Sequence, residues 1–166
     1  MAKGENTIIY VMGVSGSGKS TIGKALAERL DFAFADGDDF HPPENVAKMS
    51  AGQPLDDLDR VSWLAAIHAF AQKQARTTGV VIACSALKQK YRRQLALGSE
   101  PQVHWVYLRG DFEQVLERMQ AREDHFMPQT LLASQFETLE EPERAITVSI
   151  NQAPVDIVEK ILGQLP

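Results

Sequence analysis

The chain has 166 residues, of which 44% are hydrophobic and 23% charged, as expected for one soluble globular domain. Its formal net charge of −5 argues against a protein that mainly binds nucleic acid or an anionic membrane surface. The single cysteine, Cys84, can form no internal disulfide, and no stretch approaches the ~20 apolar residues of a membrane span. We therefore expect a single domain over residues 1–166, in the cytoplasm.

Five short apolar segments alternate with longer amphipathic ones, which is typical of βαβ units around a mostly parallel sheet. The predicted strands are residues 8–12, 32–35, 80–84, 103–108 and 145–150. Between them, apolar residues recur on one helical face, and Asp111 with Gln114 predicts a capped helix start. The sequence thus predicts an α/β fold with a five-stranded parallel sheet and helices on both faces.

A glycine-rich segment, MGVSGSGKST at residues 12–21, follows the first predicted strand. It matches the pattern G-x-x-x-x-G-K-[ST], in which backbone N–H groups cradle phosphates, the lysine reaches the terminal phosphates and the hydroxyl ligates Mg²⁺. An amphipathic helix follows it, as this P-loop pattern requires. The predicted phosphate-binding residues are Gly13, Val14, Ser15, Gly16, Ser17, Gly18, Lys19, Ser20 and Thr21.

Two polar, proline-containing segments, residues 36–60 and 120–142, interrupt the alternation of strands and helices. Both lie next to strand or helix ends, and ligands of open α/β sheets bind beyond the carboxyl ends of the strands. The first begins with DGDDFHP, where Asp36 and Asp38 would project to the same side of an extended chain. One carboxylate could then face a metal while the other faces an acceptor hydroxyl.

Cationic side chains that could clamp phosphates or an acidic substrate lie near these segments and after the third strand. They are Arg60, Lys88, Arg92, Arg93, Arg118 and Arg122. Two neutral polar side chains, those of His41 and Ser85, are also placed to contact substrate.

The P-loop alone does not define the reaction. The chain has no Asn-Lys-x-Asp element for reading guanine and no Leu-Ser-Gly-Gly-type signature of transport ATPases. These absences leave a small-molecule kinase or a nucleotide-dependent regulator.

Five blocks of sequence together resemble the gluconokinase family. They are MGVSGSGKST, DGDDFHPPENVAKMSAGQPLDDLDR, CSALKQKYR, YLRGDFE and HFMPQTLLASQFETLEEP, in family order over about residues 8–142. The resemblance implies a P-loop NTPase-type sandwich, similar to shikimate and nucleoside monophosphate kinases, with a substrate-binding insertion at about 36–60 and an ATP-covering lid at about 120–142. It also implies ATP- and Mg²⁺-dependent phosphorylation of D-gluconate at its 6-hydroxyl, by a homodimer.

The resemblance further implies individual residue roles. Lys19 and Arg122 would stabilise the transferred phosphoryl group, and Asp38 would accept a hydrogen bond from the attacking hydroxyl. Ser20 and Asp36 would serve Mg²⁺, directly or through water. The implied gluconate contacts are Arg60 and Lys88, and the implied lid residues are Arg118, Arg122 and His125.

The chain departs from the family pattern at Asp124, which stands before His125 where the family often has glycine. By the resemblance, this would add a side chain and a negative charge beside the phosphates. The alternatives are another kinase of the same architecture, above all a shikimate kinase, and a nucleotide-binding regulator without turnover.

Overall fold

Five strands form one parallel sheet, as the apolar segments predict. The computed structural model describes residues 4–98, 101–121 and 129–166. The strands are β1 (Thr7–Met12), β2 (Ala33–Asp36), β3 (Val80–Ala83), β4 (Gln102–Arg109) and β5 (Ile146–Ser149). Their order across the sheet is β2-β3-β1-β4-β5, and all four neighbouring pairs are parallel. The predicted fold class is therefore confirmed.

Seven helices cover this sheet within the described residues. They are α1 (Lys19–Leu30), α2 (Pro43–Ser50), α3 (Asp57–Ala75), α4 (Gln89–Leu95), α5 (Phe112–Gln120), α6 (Gln129–Thr138) and α7 (Pro154–Gln164). A short 3-10 turn, Gly37–Phe40, links β2 to α2. No described helix has both the length and the apolar character needed to cross a membrane.

The sheet separates two apolar cores, because successive strand residues point to opposite faces. On one face, Ile9 packs in a cluster with Leu26 of α1 and Ile161 of α7. On the other, Tyr10 packs with Ile67 of α3. Complete burial of one such aliphatic side chain contributes about 1.5–3 kcal/mol. Both faces being covered explains why the strands read as continuously apolar.

Reciprocal capping boxes fix the starts of α3 and α5. The side chain of Asp56 accepts from the backbone N–H of Asp59, whose carboxylate accepts from the N–H of Asp56. Asp111 and Gln114 make the same exchange at α5, as predicted. Each such cap contributes about 1 kcal/mol.

The strand register brings three loops to one edge of the sheet. Ala83 of β3 pairs with Val11 of β1 on one side and with Asp36 of β2 on the other. The P-loop, the turn after β2 and the segment after β3 consequently begin side by side at the carboxyl ends of these strands.

Candidate active site

The P-loop is shaped by its glycines and by the helix packed against it. Gly16 and Gly18 have φ of 79° and 95°, in the left-handed region that favours glycine. A Cβ atom at Gly16 would lie 2.7 Å from Cγ of Met119 in α5. The loop therefore has a fixed course between β1 and α1, with α5 against its outer side.

Several groups of the loop are bound to protein atoms. The Lys19 amine donates to the carbonyl of Val14 at 3.0 Å. The backbone N–H of Ser15 donates to Oε1 of Gln135 in α6 at 2.7 Å, and the Gln135 amide donates to the Ser15 hydroxyl at 3.0 Å. The hydroxyl of Ser17 is buried and has no hydrogen-bond partner among the described residues.

Burial lowers the pKa of Lys19, while the neighbouring carboxylates of Asp38 and Asp36 and the thiol of Cys84 oppose this shift. The two carboxylates thus favour the charged ammonium in a site where desolvation disfavours it. A cation held in this way is available to neutralise phosphate charge.

Asp36 lies at the end of β2 and links it to the P-loop helix. Its Oδ2 accepts from the Ser20 hydroxyl at 2.5 Å, and its Oδ1 accepts from the backbone N–H of Asp38 at 3.0 Å. The chain after Asp36 enters a 3-10 turn rather than continuing extended, since the Asp36 side chain caps that turn. The two carboxylates nevertheless face two neighbouring places, Ser20 for Asp36 and a cavity for Asp38.

A cavity of about 300 Å³ lies beside the P-loop. It brings together six residues that the sequence singles out: Ser15, Lys19, Asp38, His41, Arg60 and Ser85. The remaining lining comes from the segment 46–63, the segment after β3 and α6; these residues are Val46, Met49, Pro54, Leu55, Trp63, Leu87, Leu131, Ser134, Gln135 and Thr138.

The 3-10 turn carries Asp38 and is anchored on α3. The buried indole of Trp63 donates to the carbonyl of Gly37 at 2.7 Å. The ring of His41 stacks on Trp63, with 4.4 Å between ring centroids and 9° between planes. Trp63 thereby positions both Asp38 and His41 on the cavity wall.

Arg60 is held by a group of polar side chains from α3 and α4. Its guanidinium donates to the carbonyl of Leu55 at 2.7 Å and to the Tyr91 hydroxyl at 3.1 Å. Tyr91 in turn donates to Asp57, which also accepts from Lys88 at 3.1 Å and from Lys90. The Lys88 amine therefore contacts Asp57 and is not among the described residues that line the cavity.

Arg92 lies apart from the cavity. Its guanidinium is buried and donates to the carbonyls of Ala86 and Glu140, both at 2.8 Å. Arg92 thus connects the segment after β3 to the segment after α6, and the structure does not bring it together with the other candidate substrate contacts. Arg93, its neighbour in α4, is exposed.

A second concavity lies between α5 and the segment that follows β5. Arg118 lines it together with Ile150 and Asn151, and donates a hydrogen bond to the carbonyl of Ile150. A Cβ atom at Gly18 would lie 3.7 Å from Arg118 Nη1, so this cation adjoins the phosphate loop. Arg122 and His125, the other predicted lid residues, lie outside the described residues.

Sequence reasoning pointed to the segment 120–142 but named none of the α6 residues that line the cavity. Ser134, Gln135 and Thr138 are spaced to share one helical face, and this polar face within LLASQFET could have marked them. Tyr91 and Asn45 were also missed. They act through other side chains, and no local pattern in the sequence marks them.

Known proteins resemble this chain along most of its length. The family model described as shikimate kinase matches residues 15–162. A gluconokinase of Gluconobacter oxydans is 45% identical over 158 residues, covering 93% of this chain and 88% of that protein. The thermosensitive gluconokinase of Escherichia coli is 45% identical over 163 residues, covering 95% and 85%. The crystal structure of a gluconokinase from Sinorhizobium meliloti superposes with a TM-score of 0.83 at 45% identity, covering 96% and 91%.

Proposed function

The chain belongs to the gluconokinase family, and from this premise we propose that it transfers the γ-phosphoryl group of ATP to the 6-hydroxyl of D-gluconate. The observation that carries the proposal is the shared cavity, which is lined by Lys19 of the P-loop, by Asp38 and by Arg60. A kinase needs this combination, because phosphoryl transfer depends chiefly on positioning and charge stabilisation.

In the proposed reaction, Asp38 accepts a hydrogen bond from the attacking hydroxyl and aligns its oxygen with the phosphorus. Lys19 leaves the carbonyl of Val14 and contacts the transferring phosphate, where its charge offsets that of the transition state. The N–H groups of the P-loop hold the remaining phosphate oxygens. As the acceptor oxygen bonds to the γ-phosphorus, the bond from that phosphorus to the β–γ bridging oxygen breaks and ADP leaves, while the hydroxyl proton passes to the Asp38 carboxylate or to water.

The oxygen ligands that Mg²⁺ requires are present at Ser20 and Asp36, whose side chains meet at 2.5 Å. Mg²⁺ commonly takes only one or two protein side chains and completes its shell with water and phosphate oxygens, so these residues fit it. When bound, the ion would neutralise charge on the nucleotide phosphates. We propose that the Ser20 hydroxyl and Asp36 carboxylate hold it, the latter directly or through water.

The acceptor wall supports an acidic polyol as substrate. Arg60 offers a guanidinium for the gluconate carboxylate, while His41 and Ser85 offer neutral groups for hydroxyls. We assign residues 36–60 to the substrate-binding insertion and 120–142 to the lid, because both segments supply lining residues. We further propose that the protein is a homodimer located in the cytoplasm.

A coupled assay with the full chain, Mg²⁺ and ATP tests the proposed function. We expect ADP release to depend on gluconate and to yield 6-phosphogluconate, with shikimate inactive at the same concentration. Turnover of shikimate without turnover of gluconate would identify the rival kinase. Tight ATP binding without a phosphorylated product from any sugar acid would instead identify a nucleotide-dependent regulator.

A further inference from the structure

His41 is held at the cavity wall by two different contacts. One ring face stacks on Trp63, and the ring nitrogen Nδ1 lies 3.3 Å from Nδ2 of Asn45. Asn45 is buried in α2 at 2% exposure. The described residues make no hydrogen bond to the other ring nitrogen, Nε2, and His41 lines the cavity.

The orientation of the Asn45 amide follows from its second partner. Nδ2 of Asn45 also donates to the backbone carbonyl of Asp59 at 2.8 Å. A carbonyl can only accept, so an amide flipped end for end would set two oxygens against each other. The NH₂ group of Asn45 therefore faces both Asp59 and His41.

This orientation determines which nitrogen of His41 carries the proton. Because Asn45 presents an N–H to Nδ1, Nδ1 must accept, and in the neutral ring the proton lies on Nε2. We propose that Asn45 is a positioning residue that fixes this tautomer, so that Nε2–H of His41 donates to a hydroxyl oxygen of the acceptor. The identity of that acceptor as gluconate rests on the proposed function.

The surroundings of the ring favour its neutral form. Protonation of Nδ1 would place two N–H groups against each other across the contact with Asn45. Burial lowers the pKa of His41, and Arg60 lowers it further, while Asp38 acts in the opposite direction. Lys19 lines the same cavity, and Lys48 of α2 pairs with the Asp59 carboxylate at 2.6 Å behind Asn45.

A neutral donor has a definite use beside Asp38. An ionised Asp38 can only accept from a hydroxyl, whereas His41 in this tautomer only donates through Nε2. The site can therefore distinguish a hydroxyl that donates its proton to Asp38 from a hydroxyl that accepts a proton from His41. A single hydroxyl can also do both at once. A neutral ring also leaves Arg60 as the cation that attracts the acceptor's carboxylate at this wall.

The tautomer can be measured without turnover. In nitrogen-15 NMR spectra of the substrate-free full chain near neutral pH, we expect His41 to show a bare Nδ1 and a protonated Nε2. Comparison with His41→Gln assigns the signals. A ring protonated on Nδ1, or on both nitrogens, would overturn the proposal, even if the chain phosphorylates gluconate efficiently.

The kinetic test compares two substitutions that each alter one α2 contact with Asp59. Asn45→Asp replaces the donor facing Nδ1 with an acceptor, so we expect Nδ1 to become protonated and the His41 pKa to rise. Above that raised pKa, Nε2 becomes an acceptor and KM for gluconate should increase about tenfold, the effect of one hydrogen bond. Lys48→Ala removes the other contact and should leave KM without this pH dependence.

The ratio of the KM values of Asn45→Asp and Lys48→Ala is measured across pH 5 to 9, with KM for ATP as an internal reference. A ratio that does not change with pH would overturn the positioning role.

If Asn45→Asp does not fold, two His41 variants, His41→Gln and His41→Asn, test whether Nε2 donates to the acceptor. A glutamine nitrogen can occupy the place of Nε2 and should keep KM for gluconate within about threefold, whereas asparagine should raise it about tenfold. Equal effects of the two would overturn the proposal.

Discussion

The two ends of the active-site cavity are built from different parts of the chain. At the phosphate end, successive residues of one loop between β1 and α1 supply backbone N–H groups and the Lys19 amine. At the acceptor end, Asp38 and Arg60 come from separate elements, and the group that holds Arg60 includes Asp57 and Tyr91, 34 residues apart. The phosphate end is thus set by local sequence, whereas the acceptor end depends on tertiary contacts between side chains.

The largest effect is expected from Lys19→Ala at the phosphate end. Loss of the amine removes charge stabilisation in the transition state and should lower kcat by about 10³-fold, within the range seen for preorganised charge-stabilising groups. Steady-state kinetics measure it. Lys24→Ala, an exposed change in the same helix, serves as the control. Near-normal turnover of Lys19→Ala would contradict the role given to the P-loop.

Asp38→Asn tests the junction of the two ends. An amide keeps the size of the side chain but is a poorer acceptor for the attacking hydroxyl, so we expect kcat to fall about 10²-fold. Binding of ATP, measured by calorimetry, should change little. Lost nucleotide affinity with intact turnover would move Asp38 from the acceptor end to the phosphate end.

Tyr91→Phe tests the side-chain support of the acceptor end alone. It removes the hydroxyl that accepts from Arg60 and donates to Asp57, and should raise KM for gluconate three- to tenfold, the usual range for one hydrogen bond. KM for ATP should not change. Tyr10→Phe also deletes a tyrosine hydroxyl, which donates to Leu95 in the core, and should affect thermal stability without affecting KM for gluconate. Equal effects on both substrates would remove the distinction between the two ends.

Asp57→Asn should have the smallest effect, one seen in the pH dependence of unfolding. Hydrogen bonds from Lys90, Tyr91 and Lys88 lower the pKa of Asp57 well below its ordinary value of 3.8. The ionised form is favoured in the folded state, so its stabilisation is present above pH 3.8 and is lost as the pH falls below that value. The difference in unfolding free energy between wild type and variant, from urea titrations, should therefore shrink on acidification. A difference that grows in acid would contradict the assignment.

The features that could be predicted from sequence alone also differ between local patterns and tertiary contacts. The strands and the P-loop were predictable because their signals are consecutive, and the α5 cap because its two residues stand three apart. The contacts of Asn45 were not, since its NH₂ group bonds to a carbonyl 14 residues away on another helix. Asp56 caps the start of α3, but nothing local shows that the adjacent Asp57 meets α4.

Arg92 illustrates a different limit. Arg92 and Arg93 are neighbours in a seven-residue helix, yet one is buried and the other exposed. The buried face is defined by Tyr91 and Leu95, four apart, and Arg92 lies three before Leu95. The helical phase was thus present in the sequence, but a cation is rarely expected on an inward face.

The Arg92 contact helps to anchor the carboxyl end of α6. Glu140, two residues beyond the helix, is tied by its carbonyl to Arg92, by its N–H to Leu87 and by its carboxylate to the N–H of Gln89. Ten residues at 1.5 Å each make α6 about 15 Å long, and the two hydrogen bonds between Gln135 and Ser15 hold its middle against the P-loop. The cavity-lining face of α6 is thus tied both to the phosphate loop and to the segment after β3, so a change at either tie would be felt at Ser134 and Thr138.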